Sequence, residues 1–139
     1  MIKQISVFME NKPGKLGAIT NALNSGGIDI RAFSIADTCE FGIFRIIVRE
    51  PERAAELLRE KGFTAQLSEV IVAVIEDRQG AFDKIVSALS RKNIDIQYLY
   101  SFMGEKEPRA QVVIKTGDME KARRVLSDCG VLLLNDDEI

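Results

Sequence analysis

The chain of 139 residues has no histidine and no tryptophan, and only two cysteines and three prolines. Without histidine, Ser-His and Cys-His nucleophile pairs and histidine-containing zinc sites are excluded within the chain. Cys39 and Cys129 differ in context and lack a CxxC spacing, so each reads as a small reduced core or edge residue. No apolar run reaches the roughly 18–20 residues that cross a bilayer. The first residues enter a strand pattern without the basic-then-apolar order of a signal peptide, so a cytoplasmic location is expected. An excess of either charge is also missing. Nineteen basic and 21 acidic residues give a net charge of −2. They are interspersed, which removes the basis for general nucleic-acid binding.

What is present is a repeat. Ile28-Asp29-Ile30 recurs 66 positions on as Ile94-Asp95-Ile96. At the same offset the helical spacing of Leu16, Ile19, Thr20 and Leu23 recurs in Phe82, Ile85, Val86 and Leu89, with Gly14 matching Gly80. The chain therefore reads as two copies of one unit, residues 1–68 and 69–139. Units this small bury little core alone, so the halves are expected to be tightly coupled. The hydrophobic fraction of 46% is that of a folded protein.

Each copy carries the same order of patterns. Residues 2–9 alternate apolar and polar, as a strand buried mainly on one face does. Asn11-Lys12-Pro13-Gly14 breaks that strand, and Pro13 suits the first turn of the helix that runs to about Asn24. Gly26-Gly27 ends the helix. Strands follow at 28–36 and 41–49, separated by a turn at 37–40. A helix starts at Pro51 and stops at Gly62, and residues 63–68 form a short fourth strand. The second copy gives a strand at 70–75, a helix at 79–92 and a strand at 94–102. A charged turn at 104–108, a strand at 110–115, a helix at 118–129 and a last strand at 131–134 complete it. Ala122, Val125, Leu126 and Cys129 share one face of that last helix. The βαββαβ order implies an α+β fold: two ferredoxin-like units, each with two helices on one face of an antiparallel sheet. The apolar residues of these patterns are explained by core packing and require no cofactor.

The segment with chemical potential is Glu10-Asn11-Lys12-Pro13-Gly14-Lys15-Leu16, which joins the first strand to the first helix. A helix start carries unpaired N–H groups and partial positive charge, so it holds anions. Gly14 lets an anion approach the backbone closely. The P-loop and GxGxxG patterns are absent, and a carboxylate is the more economical ligand. Asn11 offers both donors and an acceptor, which suits a zwitterion, and it equally suits a helix cap or an Asx turn. Asp29 and Asp95 open the second strands, where an acid can pair with a ligand ammonium or simply favour the turn. Asp37 at the strand–strand turn has the same two readings. Arg45, in an otherwise apolar strand, is expected on the exposed face or across a subunit contact.

With Asn11-Lys12-Pro13-Gly14-Lys15-Leu16 at the first turn and Gly27-Ile28-Asp29-Ile30 after the first helix, the chain resembles the ACT domain. As a whole it resembles a tandem ACT protein with no catalytic domain attached. The resemblance implies allosteric amino-acid binding near the first strand–helix loop, often where two ACT units pack side by side. Asn11, Pro13, Gly14 and Leu16 match the ligand-loop motif. Ile28, Asp29 and Ile30 match the segment that usually faces the loop of a neighbouring unit. In the second copy Gly80, Phe82, Ile94, Asp95 and Ile96 take those places. There Asp77-Arg78-Gln79 replaces Asn-Lys-Pro, and Asp77 repels a carboxylate that Arg78 attracts.

The expectation is a non-catalytic amino-acid sensor with no cofactor and no metal. The ligand carboxylate would meet the helix start at Gly14, Lys15 and Leu16, and its ammonium Asn11 and Asp29. A homodimer is expected, because the open edges of small sheets invite pairing. The alternative is an interaction module that regulates a separate metabolic enzyme or transporter without a small ligand. A small enzyme is the weakest reading, since no close acid–base pair is evident from spacing.

Overall fold

In the computed structural model, residues 1–37, 40–103 and 109–139 are described, with the backbone only at Met103. The reading of Cys39 and the charged turn at 104–108 lie outside them. Compactness divides the chain into two units, one of residues 3–68 with Ile139 and one of residues 1–2 with 69–138.

The first unit is built from β1 (Ile2–Glu10), α1 (Lys15–Ser25), β2 (Ile30–Asp37), β3 (Phe41–Val48), α2 (Pro51–Glu60) and the first residues of β4 (Thr64–Glu76). Its strand order is β2-β3-β1-β4, with β3 antiparallel to both neighbours. The helical spacing places Ile19, Ala22 and Leu23 on the buried side of α1. With Ala54, Ala55 and Leu58 of α2 they cover Ile5, Val7, Phe44, Ile46 and Val48 of the sheet. The end of α1 comes close to α2. A Cβ on Gly26 would lie 2.3 Å from Leu57 Cδ2, and the Gly26 carbonyl accepts a 2.7 Å hydrogen bond from Arg53 Nη2.

The second unit repeats the plan with the later part of β4, α3 (Ala81–Arg91), β5 (Ile96–Met103), β6 (Arg109–Thr116), α4 (Met119–Asp128) and β7 (Leu132–Leu133). Its strands run β5-β6-β4, and β7 pairs with β4. Ile85 and Leu89 of α3 and Ala122 and Leu126 of α4 pack on Ile71, Ala73, Val112 and Ile114. The α+β, ferredoxin-like class implied by the sequence is the observed one.

Several local expectations are corrected. The strands expected at 63–68 and 70–75 are one strand of 13 residues, β4, with no turn between them. Pro13 is not in the first turn of α1. The helix begins at Lys15, and Gly14 at its N-cap has φ +86°. Likewise α3 begins at Ala81, behind Gly80 with φ +88°. The last strand shrinks to two residues, followed by a 3₁₀ turn at Asp136–Glu138. Cys129 is the C-cap of α4 and is exposed rather than on the buried face with Ala122 and Leu126. Arg45 is half-buried, opposite Ser6 and Ser34 in the sheet register.

Candidate functional site

At the end of β1 the backbone turns through Asn11–Gly14 and enters α1. The N–H of Asn11 donates to the Glu40 carbonyl (3.1 Å) and that of Lys12 to the Glu10 carbonyl (2.8 Å). Asn11 neither caps the helix nor closes an Asx turn onto it. Its side-chain Nδ2 donates to Asp37 Oδ1 at 3.2 Å, which ties the loop to the end of β2. The left-handed conformation of Gly14 turns the chain sharply into α1. The Lys15 N–H is taken by the Lys12 carbonyl at 3.3 Å. No side chain caps α1, and no acid lies in its first turn. Among the described residues the next N–H groups, of Leu16 and Gly17, therefore have no side-chain acceptor where the helix dipole is positive.

Charge around the loop is mixed, with Lys12 and Lys15 set among Glu10 and Asp37. Lys12 Nζ lies 2.9 Å from Glu10 Oε2. That hydrogen bond, then the charges of Lys12 and Lys15, hold the Glu10 carboxyl below the ordinary glutamate range. Beside the loop is an open cleft of about 460 Å³, lined by Phe8, Met9, Glu10, Lys15, Phe41 and the Lys61–Thr64 turn. Leu16 is half-buried and packs against the first core.

The remaining expected residues of the first unit are not at this end. Ile28 is buried in the core, Ile30 packs against it, and Asp29 is exposed beside Arg31 at 3.3 Å and Arg49 at 4.0 Å. The register separates them from the loop. Asp37 pairs with Gly42 but Ile30 with Val48, and six residues of strand span about 20 Å. Within one unit, Asn11 and Asp37 meet, and Asp29 does not join them.

The second unit has the same turn with different chemistry. Arg78 Nε pairs with Glu76 Oε2 at 2.8 Å, and the Ala81 N–H takes the Arg78 carbonyl at 3.3 Å. Asp77 and Phe82 are exposed, and Asp83 places a carboxylate in the first turn of α3. That built-in acid already compensates the helix start. Ile94 is buried, Ile96 packs on the core, and the Asp95 carbonyl accepts from Gly117 at 3.3 Å. An equivalent cleft of about 290 Å³ is lined by Glu76, Arg78, Lys84, Arg109 and the Gly130–Leu132 turn, among others.

The cleft walls were missed in the sequence. They come from distant segments whose only shared mark is a left-handed glycine after the second helix of each unit, Gly62 and Gly130. Among the described residues no group of acids and cysteines is placed to hold a metal ion, and no helix is long and apolar enough to cross a membrane.

Two βαββαβ units, each with an open, glycine-led helix start at one end, define a pair of small ferredoxin-like modules. The family is narrower than that. The family model of the ACT domain pair matches residues 1–139, and the chain belongs to that family. Protein BT0572 from Bacteroides thetaiotaomicron is 34% identical, with a TM-score of 0.91 over 99% of this chain and 94% of its own. The regulatory subunit of aspartate kinase from Thermus thermophilus, in its ligand-free form, is 20% identical, with a TM-score of 0.65 over 91% of each chain. The corresponding subunit from Thermus flavus gives 18% and 0.63, over 91% of this chain and 90% of its own. At such identities the likeness to the kinase subunits is one of fold. Among curated proteins none matches the chain.

Proposed function

We propose that the protein is a non-catalytic amino-acid sensor, made of ACT units at residues 1–68 and 69–139, that works as a homodimer in the cytoplasm. The observation that carries this reading is the uncapped start of α1 behind Gly14, beside an Asn11 amide oriented by Asp37. The ligand α-carboxylate accepts from the N–H groups of Leu16 and Gly17, the first ones left open behind Gly14 and Lys15. The Asn11 side-chain oxygen, left free by its donation through Nδ2, accepts from the ammonium. Pro13 holds the loop in shape, and the open cleft at Glu10 and Lys15 takes the side chain.

The first unit is the stronger site, because α3 carries Asp83 where α1 carries no acid. In the second unit Gly80, Phe82, Ile94, Asp95 and Ile96 keep the scaffold. Ile28, Asp29 and Ile30 contribute only through a neighbouring unit, given their distance from the loop. Binding shifts a subunit equilibrium by as much as the ligand prefers one state over the other. Isothermal titration with each common amino acid is the test. One of them should give heat, and Asn11→Ala should weaken it roughly tenfold, the loss of one or two hydrogen bonds to charge. No heat and no thermal shift with any of them overturns the proposal.

A second reading follows from the fold shared with kinase regulatory subunits. Here the protein regulates a separate metabolic enzyme without a small ligand. A stoichiometric partner from native lysate, bound equally with and without amino acids, favours it.

A further inference from the structure

At the end of the first unit's sheet two phenylalanines stand exposed, Phe8 at 38% and Phe41 at 53%. They are on the face turned away from the helices, because Ile5 and Val7 of β1, and Phe44 and Ile46 of β3, take the other face and fill the core. Phe8 is opposite Ile43 and Phe41 opposite Glu10, so the two are diagonal neighbours. Such neighbours stand about 7–8 Å apart, within reach of aromatic side chains. Both line the cleft of about 460 Å³ beside the loop, together with Met9 and the half-buried Phe63. Three of the chain's seven phenylalanines line this one opening. Neither Phe8 nor Phe41 belongs to the helix-covered core, so core packing does not account for them.

The second unit has the equivalent cleft without these rings. Val74, 66 positions on, stands where Phe8 does. Arg109 takes the place of Phe41, each lying opposite the last glutamate of the neighbouring strand, Glu76 or Glu10. Val131 follows the left-handed Gly130 as Phe63 follows Gly62. Two valines and an arginine have replaced three phenylalanines, while the glutamate and both glycine-led turns are kept. The aromatic lining is therefore a property of the first cleft and not of the scaffold.

From this we infer that the first unit's ligand is an aromatic amino acid, its ring held among Phe8, Phe41 and Phe63. Offset and edge-to-face contacts with these rings favour a flat ring over an aliphatic side chain of similar area. The Met9 thioether adds a sulfur–aromatic contact. Lys15 and Lys61, exposed in the cleft wall, add cation–π attraction that an aliphatic ligand cannot use. Lys15 lines the cleft and immediately precedes the open N–H groups of Leu16 and Gly17, so one ligand reaches both. The inference rests on the reading of this unit as an amino-acid site and names the class of side chain it takes.

The test is selectivity, by isothermal titration of the full chain with each common amino acid. Phenylalanine, tyrosine or tryptophan should bind roughly tenfold tighter than leucine, threonine, aspartate or lysine. The chain has no tryptophan, so the fluorescence of added tryptophan reports the ligand alone. Its emission should shift to the blue and its anisotropy rise on binding. Phe41→Leu and Phe8→Leu keep an apolar side chain but remove a ring. Each should weaken aromatic binding several-fold and change leucine binding little. Phe41→Arg, which copies the second unit, should abolish the aromatic preference. Both positions are exposed, so denaturation midpoints should stay near that of the unsubstituted chain. A non-aromatic amino acid that binds tightest overturns this inference and leaves the sensor reading standing. So does aromatic binding that both leucine variants leave unchanged. Silence with every amino acid overturns the inference together with the sensor reading.

Discussion

A left-handed residue in front of a helix is supplied at low cost only by glycine, and Gly14 and Gly80 supply it at equivalent places. A Cβ at Gly14 would touch nothing, so the cost of Gly14→Ala is purely conformational. It should lower stability by about 1–2 kcal/mol in denaturant titration. Amino-acid binding should fall further than that loss explains, because the turn aims the N–H groups. Where the first copy has Gly27 at φ +70°, the second has Asn93 at φ +56°, the non-glycine type that best tolerates this region. Glu10 gives a prediction for pH. Its folded-state pKa is depressed by Lys12 and then Lys15. Its stabilising effect is therefore present above the unfolded-state pKa and lost as pH falls through the folded-state value. An NMR titration should find Glu10 ionising below the ordinary glutamate range, and Lys12→Ala should move it back up.

The four helices differ in how they begin. Asp118 caps α4 by accepting from the Lys121 N–H at 3.0 Å, whereas no side chain caps α1 or α3. Asp118→Ala should cost about 1 kcal/mol, read as a lower denaturation midpoint, and leave ligand binding at α1 unchanged. This contrast also shows what the sequence could reveal. The helices were legible because the spacing of Ile19 and Leu23, or Ile85 and Leu89, matches a helical face. The start of α1 was not, since Pro13 offers the usual signal for a first turn and Gly14, the residue just before the helix, overrides it. The division falls where the repeat put it, between 68 and 69, but the two strands expected there are one, for a different reason. The repeat implied a boundary near residue 68, yet no glycine or proline stands between Phe63 and Gln79 to make a turn. The Asn11–Asp37 contact joins positions that were each noticed but could not be paired from spacing alone. The cleft walls at Phe63 and Arg109 needed the fold itself.

The duplicated chain has kept its scaffold and let its sites diverge. Both copies retain the left-handed glycine, the buried helix faces and the Ile-Asp-Ile segment. Between the copies the loop has changed from Asn-Lys-Pro to Asp-Arg-Gln, and the first helical turn has acquired an acid. That difference is the ground for proposing one strong and one weak site. Shared β4 bears on durability. Junctions between repeated units are ordinarily where proteases cut, because the chain there is exposed and free of hydrogen-bonded structure. Here Val70, Ile71, Val72 and Ala73, just past the boundary, are buried in a strand that pairs with β6. Limited proteolysis followed by mass spectrometry should find residues 64–76 uncut while other surface segments are nicked. A cut that frees one half from the other would have to break this buried strand, so neither half is easily released alone.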